Sequence, residues 1–416
     1  MGDSLNLYLA IILGSLALSW LLGLASSLLD ARAMTDEVPA ELAVAFDADT
    51  YARSQQYARA NMRFEAFADT FSFLTILGMI LGGGFNLLDL AVRSLGLSPL
   101  WSGLAFIGAV AGASAILRLP FDLYHAFVLE KRFGFNATTG ATFVMDRLKG
   151  LILATVLGGA LLAGVLWFFG SVGETAWLWC WGVTVLFTLT FTYVAPTWIL
   201  PLFNRFTPLE PGELRLAIET FAEKADFELS GIFVMDGSKR STKANAFFMG
   251  LGARRRIALF DTLVEKLTVD EIVAVLAHEV GHSKRGHIKR RLATGTLKTG
   301  AVFYLMSLFL DNPELFAAFA MDHVSVYAGL VFFVLLYTPV SLALSVVANS
   351  VSRRHEYEAD RFAVETVGGP EAMISALKKL SAGNLSNLTP HPLTVWLEYS
   401  HPPVVERIRA LSNAKP

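Results

Sequence analysis

Two histidines four positions apart, the first followed directly by a glutamate, are the residues of this 416-residue chain best placed to do chemistry: His278-Glu279-Val280-Gly281-His282. Positions i and i+4 share one face of an α-helix, so both imidazoles can converge on one Zn2+ while Glu279 points at a water on that ion. A helix is expected here. Thr268 stands three residues before Glu271, the pattern of a capping box, and Ile272, Val275 and Leu276 continue at helical spacing. Hydrolytic zinc sites use three protein ligands and leave a further position for water, so a third ligand is needed. The extended pattern that takes it from the same segment requires Gly and His where this chain has Arg285 and Ile288. His287 is therefore expected at the surface, and the third ligand is sought among carboxylates elsewhere.

Glu356 and Asp360 are also four apart, in the run Ser352-Arg353-Arg354-His355-Glu356-Tyr357-Glu358-Ala359-Asp360-Arg361-Phe362. One helix face could offer Glu356 to zinc while Asp360 accepts the second N–H of a ligating histidine, with Glu358 pointing away. The same run also fits a charged juxtamembrane helix in which Arg353 and Arg354 follow the positive-inside rule.

The elements that must position these residues belong to a membrane protein. The chain is 54% hydrophobic and 17% charged, against about 25% charged in soluble domains, and its mean hydropathy is +0.51. A net charge of −2 gives no reason to expect a nucleic-acid partner. The single cysteine, Cys180, excludes a disulfide framework or a cysteine zinc cluster and is expected to pack or face lipid. Seven stretches approach the roughly 20-residue apolar length of a spanning helix. They are Leu7 to Leu29, Phe71 to Leu90, Leu100 to Leu117, Leu151 to Gly170, Trp177 to Leu200, Gly300 to Phe319 and Val326 to Ala348. Asp311, Asn312, Pro313 and Glu314 interrupt the sixth, for which Leu310 is an alternative end. The first is expected as a retained helix, because Met1 to Asn6 contain no Lys or Arg.

With the N-terminus outside, the inner loops carry Arg32, Arg53, Arg59 and Arg63, then Lys131, Arg132, Arg147 and Lys149, then the basic stretch from Arg205 to Arg291. The outer loops nearly lack positive charge, so the catalytic region and the C-terminus are expected in the cytoplasm. Residues 1–205 form a membrane domain of five helices, and residues 206–416 a peptidase domain that includes helices six and seven (about 300–319 and 326–348). Within the second domain, Pro211 to Phe227 is an amphipathic helix, Ile232 to Met235 a strand, and Asn245 to Gly250 with Arg256 to Phe260 a hairpin around Gly252.

H-E-V-G-H, a two-helix membrane hairpin and then S-R-R-H-E-Y-E-A-D-R-F-A resemble the Ste24-type CAAX prenyl proteases, integral-membrane zinc metalloproteases of family M48. The likeness extends through Leu119-Pro120-Phe121 with Gly134-Phe135-Asn136, through Ile199-Leu200-Pro201-Leu202-Phe203-Asn204-Arg205-Phe206, and through Lys243-Ala244-Asn245-Ala246. It continues in Ser400-His401-Pro402-Pro403 with Glu406 and Arg407. The resemblance implies a mainly α, integral-membrane fold in which seven transmembrane helices enclose a water-filled chamber, with a zincin-like domain containing a small β-hairpin or sheet. It implies one Zn2+ per chain on His278, His282 and Glu356, Glu279 as general base and Asp360 as the aspartate of an E-x-x-x-D signature. His401 is implied as an oxyanion donor, Arg407 as a residue that binds substrate or holds the site together, and Asn245 as part of the edge that holds an extended peptide.

The expected substrate is then a lipidated or otherwise membrane-associated polypeptide, prenylated in the family's named substrates and cut near its C-terminus, with membrane lipid as the surroundings. A quality-control protease is an alternative, as is a non-enzymatic zinc-binding scaffold or transporter, although an intact Glu279 favours catalysis. An intramembrane-cleaving protease fits less well, because Glu271, Lys284, Arg285 and Lys289 surround the motif. The resemblance places the protein in the inner membrane of a bacterium or the endoplasmic reticulum membrane of a eukaryote, and says nothing of its oligomeric state. His125, His323 and His391 have no ligand-spaced partner and His355 is adjacent to the proposed ligand, so each is expected to pack, lie at an interface or be solvated.

Overall fold

The computed structural model describes residues 6–35, 37–43, 46–249 and 255–413. The first half is built from α1 (Leu7–Ala33), α2 (Ala48–Leu81), α3 (Gly84–Ser94), α4 (Pro99–Tyr124), α5 (Gly140–Leu153), α6 (Gly159–Ser171), α7 (Ala176–Val194) and α8 (Leu200–Phe203). Wider π-turns at His125–Glu130, Ala154–Gly158 and Ala195–Ile199 extend α4 and weld α5 to α6 and α7 to α8. Five spans long and apolar enough to cross a membrane result: Leu7–Ala33, Ala48–Leu81, Pro99–Glu130, Gly140–Ser171 and Gly173–Phe203. No more than 17% of any span's apolar window is buried inside the protein, so most of these side chains need lipid for cover.

The helix expected over Phe71 to Leu90 is displaced. It starts at Ala48, because residues such as Arg53, Arg59 and Glu65 are good helix formers that an apolar ruler ignores. It ends at Leu81, where Gly83 takes a left-handed φ of 65° and α3 restarts in a new direction.

The second half runs β1 (Phe206–Pro208), α9 (Glu213–Lys224), β2 (Gly231–Met235), β3 (Ala246–Met249), β4 (Arg256–Phe260), α10 (Asp261–Lys266) and α11 (Val269–Lys284). It continues with α12 (His287–Ser307), α13 (Pro313–Ala317), α14 (Val326–Leu336), α15 (Thr338–Val367), α16 (Glu371–Gly383), α17 (Pro392–Leu397) and α18 (Val404–Ser412). The strands form one mixed sheet of order β1-β2-β4-β3, parallel between β2 and β4 and antiparallel at the other two pairings. β3 and β4 pair as expected, with β3 at the edge, whereas Gly250 and Gly252 lie outside the described residues.

The expected sixth and seventh spans change most. α12 stops at Ser307, short of both Leu310 and Phe319, and Lys289, Arg290, Arg291 and Lys298 occupy the part nearest the site. Asn312 then caps α13 through its side chain, which ends the apolar run physically. The seventh is a broken pair, α14 and α15, bent by 51° with Pro339 in the first turn of α15. Five described helices are therefore long and apolar enough to span, or six if that bent pair is one span, where seven were expected.

The sheet, α9, α10 and α11 close over one apolar cluster that includes Ile218, Ile257, Leu259, Leu263, Ile272 and Leu276, all essentially inaccessible. Each such side chain contributes about 1.5–3 kcal/mol on burial. The start of α11 is fixed by the capping box: the Thr268 amide donates to Glu271 Oε2 at 2.7 Å, and the Glu271 amide donates to Thr268 Oγ1 at 3.4 Å. Ser375 Oγ (2.6 Å) and Lys379 Nζ (2.8 Å) donate to the same carboxylate from α16.

Burial pushes the Glu271 carboxyl up, but the bonds from Lys379, Ser375 and Thr268 outweigh it and hold its pKa below the ordinary value. The stabilisation is therefore present at neutral pH and lost only as the pH falls through that lowered value. Glu271→Gln should lower the melting temperature of the detergent-solubilised protein, by an amount corresponding to about 1–2 kcal/mol at pH 7. The gap from the parent should narrow as the medium is acidified below the carboxylate range; a gap that widens would show that the charge is not the stabilising feature.

Candidate metal centre

α11 and α15 pack face to face at Gly281. A Cβ there would lie 3.1 Å from both the Cα and the carbonyl oxygen of Ala359 and 3.2 Å from Phe362 Cβ. Only glycine lets the two backbones come this close.

The approach brings His278 and His282, from α11, to Glu356, from α15, with ligand atoms all within 4.8 Å of one another. The two Nε2 atoms are 3.2 Å apart, Glu356 Oε2 is 3.3 Å from Nε2 of His278, and Oε1 is 3.3 Å from Nε2 of His282. Asp360, one turn beyond Glu356, lies 2.8 Å from His278 Nδ1. An ionised carboxylate only accepts, so Nδ1 carries the hydrogen and the lone pair on Nε2 faces the cluster. Glu356 Oε2 is buried and has no hydrogen-bond partner. Such an atom is costly to bury unless a cation satisfies it. Two imidazoles and one carboxylate around an unsatisfied oxygen are a donor set that fits a divalent cation of intermediate softness, such as zinc.

Arg407, from α18, completes the surroundings. Its Nη2 and Nε donate to Asp360 at 2.6 and 2.8 Å, and Nη1 lies 3.8 Å from Glu356 Oε2. Burial alone would push the His278 imidazole down, but its bonds to Asp360 and Glu356 hold it above the ordinary value. His401 Nε2 is 3.4 Å from Glu356 Oε1 while two-thirds of its side chain (65%) is exposed, which places it on the open side of the cluster. Glu279 is half-buried, and no hydrogen bond or ion pair among the described residues ties down its carboxylate.

Asn245 sits at the start of the edge strand. Its carbonyl accepts from the Phe260 amide at 3.1 Å and its side chain accepts from the Ala246 amide at 2.8 Å, and neither contact reaches the cluster.

His287 is not at the surface. It is 1% exposed, its Nδ1 is 3.0 Å from Nδ1 of His282, and its Nε2 is 3.0 Å from Glu358 Oε2. His355 stacks on it at 3.9 Å between ring centroids. Burial holds the His287 imidazole below its ordinary value against the pull of Glu358. The expectation followed from the failed extended pattern alone, which does not say where a residue beyond the helix end packs. α11 ends at Lys284, and Gly286, with a left-handed φ of 74°, turns the chain so that His287 folds back. A glycine just past a basic last turn is a recognised stop signal that could have placed His287 beyond the helix.

Both halves of the chain match known proteins. Residues 208–415 match the profile of peptidase family M48, and residues 28–205 match that of the CAAX prenyl protease N-terminal region with five membrane helices. CAAX prenyl protease 1 of Saccharomyces cerevisiae is 36% identical over 403 residues, covering 90% of this chain and 88% of the yeast protein. The CAAX prenyl protease 1 homolog of Mus musculus is 32% identical over 431 residues, covering 92% and 90%. The crystal structure of S. mikatae Ste24p matches with a TM-score of 0.92 at 32% identity, covering 97% of this chain and 99% of that one.

The chain belongs to peptidase family M48. It is a multi-pass membrane metalloprotease acting on polypeptides, with five membrane helices followed by a peptidase region. In this M48 peptidase a methyl added at Gly281 would meet the Ala359 backbone at 3.1 Å, so Gly281→Ala needs α15 to give by a few tenths of an ångström. The expected result is a loss of about 1–3 kcal/mol of stability and a fall in bound metal, read by thermal melting and metal analysis. A Gly281→Ala protein as stable and as metal-loaded as the parent would show that the contact has slack.

Proposed function

We propose that this M48 peptidase is a zinc metalloendopeptidase of the Ste24 type that cuts near the C-terminus of a lipidated or membrane-associated polypeptide. The observation that carries this reading is the buried cluster of His278, His282 and Glu356, with one carboxylate oxygen lacking a partner and an untethered Glu279 on the same helix. Those three residues would hold a zinc ion, which would supply Lewis acidity to acidify a water and polarise a peptide carbonyl. Glu279 takes the water proton and returns it to the leaving amine. His401, exposed at the rim, donates to the oxyanion that develops on the carbonyl oxygen. Arg407 is buried against Asp360, so we assign it to holding the site rather than to binding substrate. Asp360 in turn orients His278.

The edge strand β3, with Asn245 at its head, is the natural place for an extended peptide to add as a further strand, which holds the backbone without reading its side chains. We take residues 1–205 as the membrane domain and 206–416 as the peptidase domain. α12 and the bent pair α14–α15 would join the five spans in a seven-helix ring around a chamber. The low burial of the spans favours a ring with an open interior over a solid bundle, and exposed Ser72, Thr75, Thr188 and Thr192 bond back to their own helix carbonyls. The Lys and Arg distribution favours a cytoplasmic active site.

Glu279→Gln should keep about one zinc per chain and lose peptidase activity by about 10²–10⁴-fold, measured as kcat/KM on a farnesylated CAAX peptide. Glu356→Ala should lose the metal as well as the activity. Cleavage by Glu279→Gln at the parent's rate would rule out this mechanism. Equal kcat/KM on farnesylated and unmodified peptides would rule out recognition of the lipid.

A further inference from the structure

A histidine ligates a metal through one ring nitrogen only if the hydrogen sits on the other. Asp360 enforces this for His278. The outer nitrogen of His282 faces another imidazole instead: its Nδ1 and that of His287 are 3.0 Å apart, close enough that one hydrogen must lie between them. The far side of His287 decides whose it is. Nε2 of His287 is 3.0 Å from Glu358 Oε2, an oxygen that only accepts when ionised, so Nε2 donates there and Nδ1 of the singly protonated ring is left to accept. The hydrogen in the shared contact therefore belongs to His282, whose Nε2 lone pair then points at His278 Nε2 and Glu356.

We propose that His287 and Glu358 are positioning residues for the metal, holding His282 in its ligating tautomer through the sequence His282 to His287 to Glu358. The proposal rests on the zinc reading above. The rest of the local structure holds this relay rigid. His287 is buried and stacked on His355 with an interplanar angle of 11°, and the left-handed turn at Gly286 fixes where its ring enters. The two ligating histidines are thus oriented differently. His278 leans on a carboxylate clamped by a buried arginine, and His282 leans on a neutral ring backed by a half-exposed carboxylate.

The test compares full-length His287→Phe with His287→Gln in detergent. Phe keeps the bulk and the stacking but cannot accept a hydrogen bond; the Gln side-chain carbonyl can. Zinc affinity is measured by competition with a chromogenic chelator, and the cobalt-substituted proteins are compared by their d–d absorption bands. The expected result is zinc binding about 10–100-fold weaker in His287→Phe, with shifted cobalt bands, and recovery of both in His287→Gln. A loss of less than about tenfold in His287→Phe, or equal losses in the two variants, overturns the relay. Should His287→Phe not fold, Glu358→Leu at its half-exposed position decides: weaker zinc binding supports the relay, and unchanged binding overturns it. A parent protein that binds no zinc overturns the zinc reading and the relay together, whereas failure of the relay alone leaves the parent's zinc binding intact.

Discussion

Charge balance in one buried cluster constrains the rest of this protein. Glu356 and Asp360 are each 2% exposed and lie one helical turn apart, and the cation within ion-pair reach of both is Arg407. With neutral histidines the group carries one negative charge more than it neutralises. A carboxylate held away from water is costly by several kcal/mol unless it is paired. The surplus falls at Glu356 Oε2, the oxygen without a hydrogen-bond partner, which lies 3.3 Å from His278 Nε2 while Oε1 lies 3.3 Å from His282 Nε2. The cluster thus has the donors and the surplus charge that would attract a cation, more strongly in the low dielectric around it.

Such a cluster holds only if the helices that carry it cannot drift apart. α11 is fixed on one side by the apolar contact with the sheet and α9, and at its head by Glu271 with Lys379. On its other side α15 is brought within backbone contact at Gly281. The membrane half braces the same frame. Arg240 makes two bonds to Asp146, at 2.7 and 2.8 Å, and Lys243 lies 3.0 Å from Glu130 beside Tyr57. Asp30 of α1 accepts from the His391 backbone at 2.6 Å at the head of α17. The peptidase half is thus bound to the membrane helices by partly buried polar contacts, where the desolvation that makes ion pairs stronger also makes their loss expensive.

Much of this was legible in the sequence, for identifiable reasons. The capping box at Thr268, the shared face of His278 and His282, and the pairing of Glu356 with Asp360 all follow from helical periodicity, which a sequence displays directly. The first five apolar stretches also found helices, since lipid imposes a composition that survives in any window. What failed was wherever the backbone leaves its regular course. Gly83 and Gly286 turn the chain through left-handed conformations, so hydropathy ran on past the end of α2, and the failed extended pattern did not show that His287 folds back under the site. Pro339 bent the last apolar stretch, and α15 ran on to Val367 as one helix. The role of Gly281 was invisible for another reason: the neighbour that requires it, Ala359, lies far away in the sequence.

The position of the edge strand follows from the same limits. A peptide arriving from a membrane brings unsatisfied backbone donors and acceptors with it, and inside hydrocarbon each would cost several kcal/mol. β3 lies at one edge of the four-stranded sheet, and it is joined through Lys243 and Tyr57 to the polar start of α2. Strand addition there would satisfy the peptide's backbone at the moment it leaves lipid, before any bond is cut. Binding of that kind depends little on side chains, so selectivity must come from what brings the polypeptide to the strand. For a chain tethered in the bilayer, the tether itself supplies that selection, because it raises the local concentration of the segment beside it. A site fed by an edge strand in this way would need no deep specificity pocket to act on a narrow set of membrane-held chains.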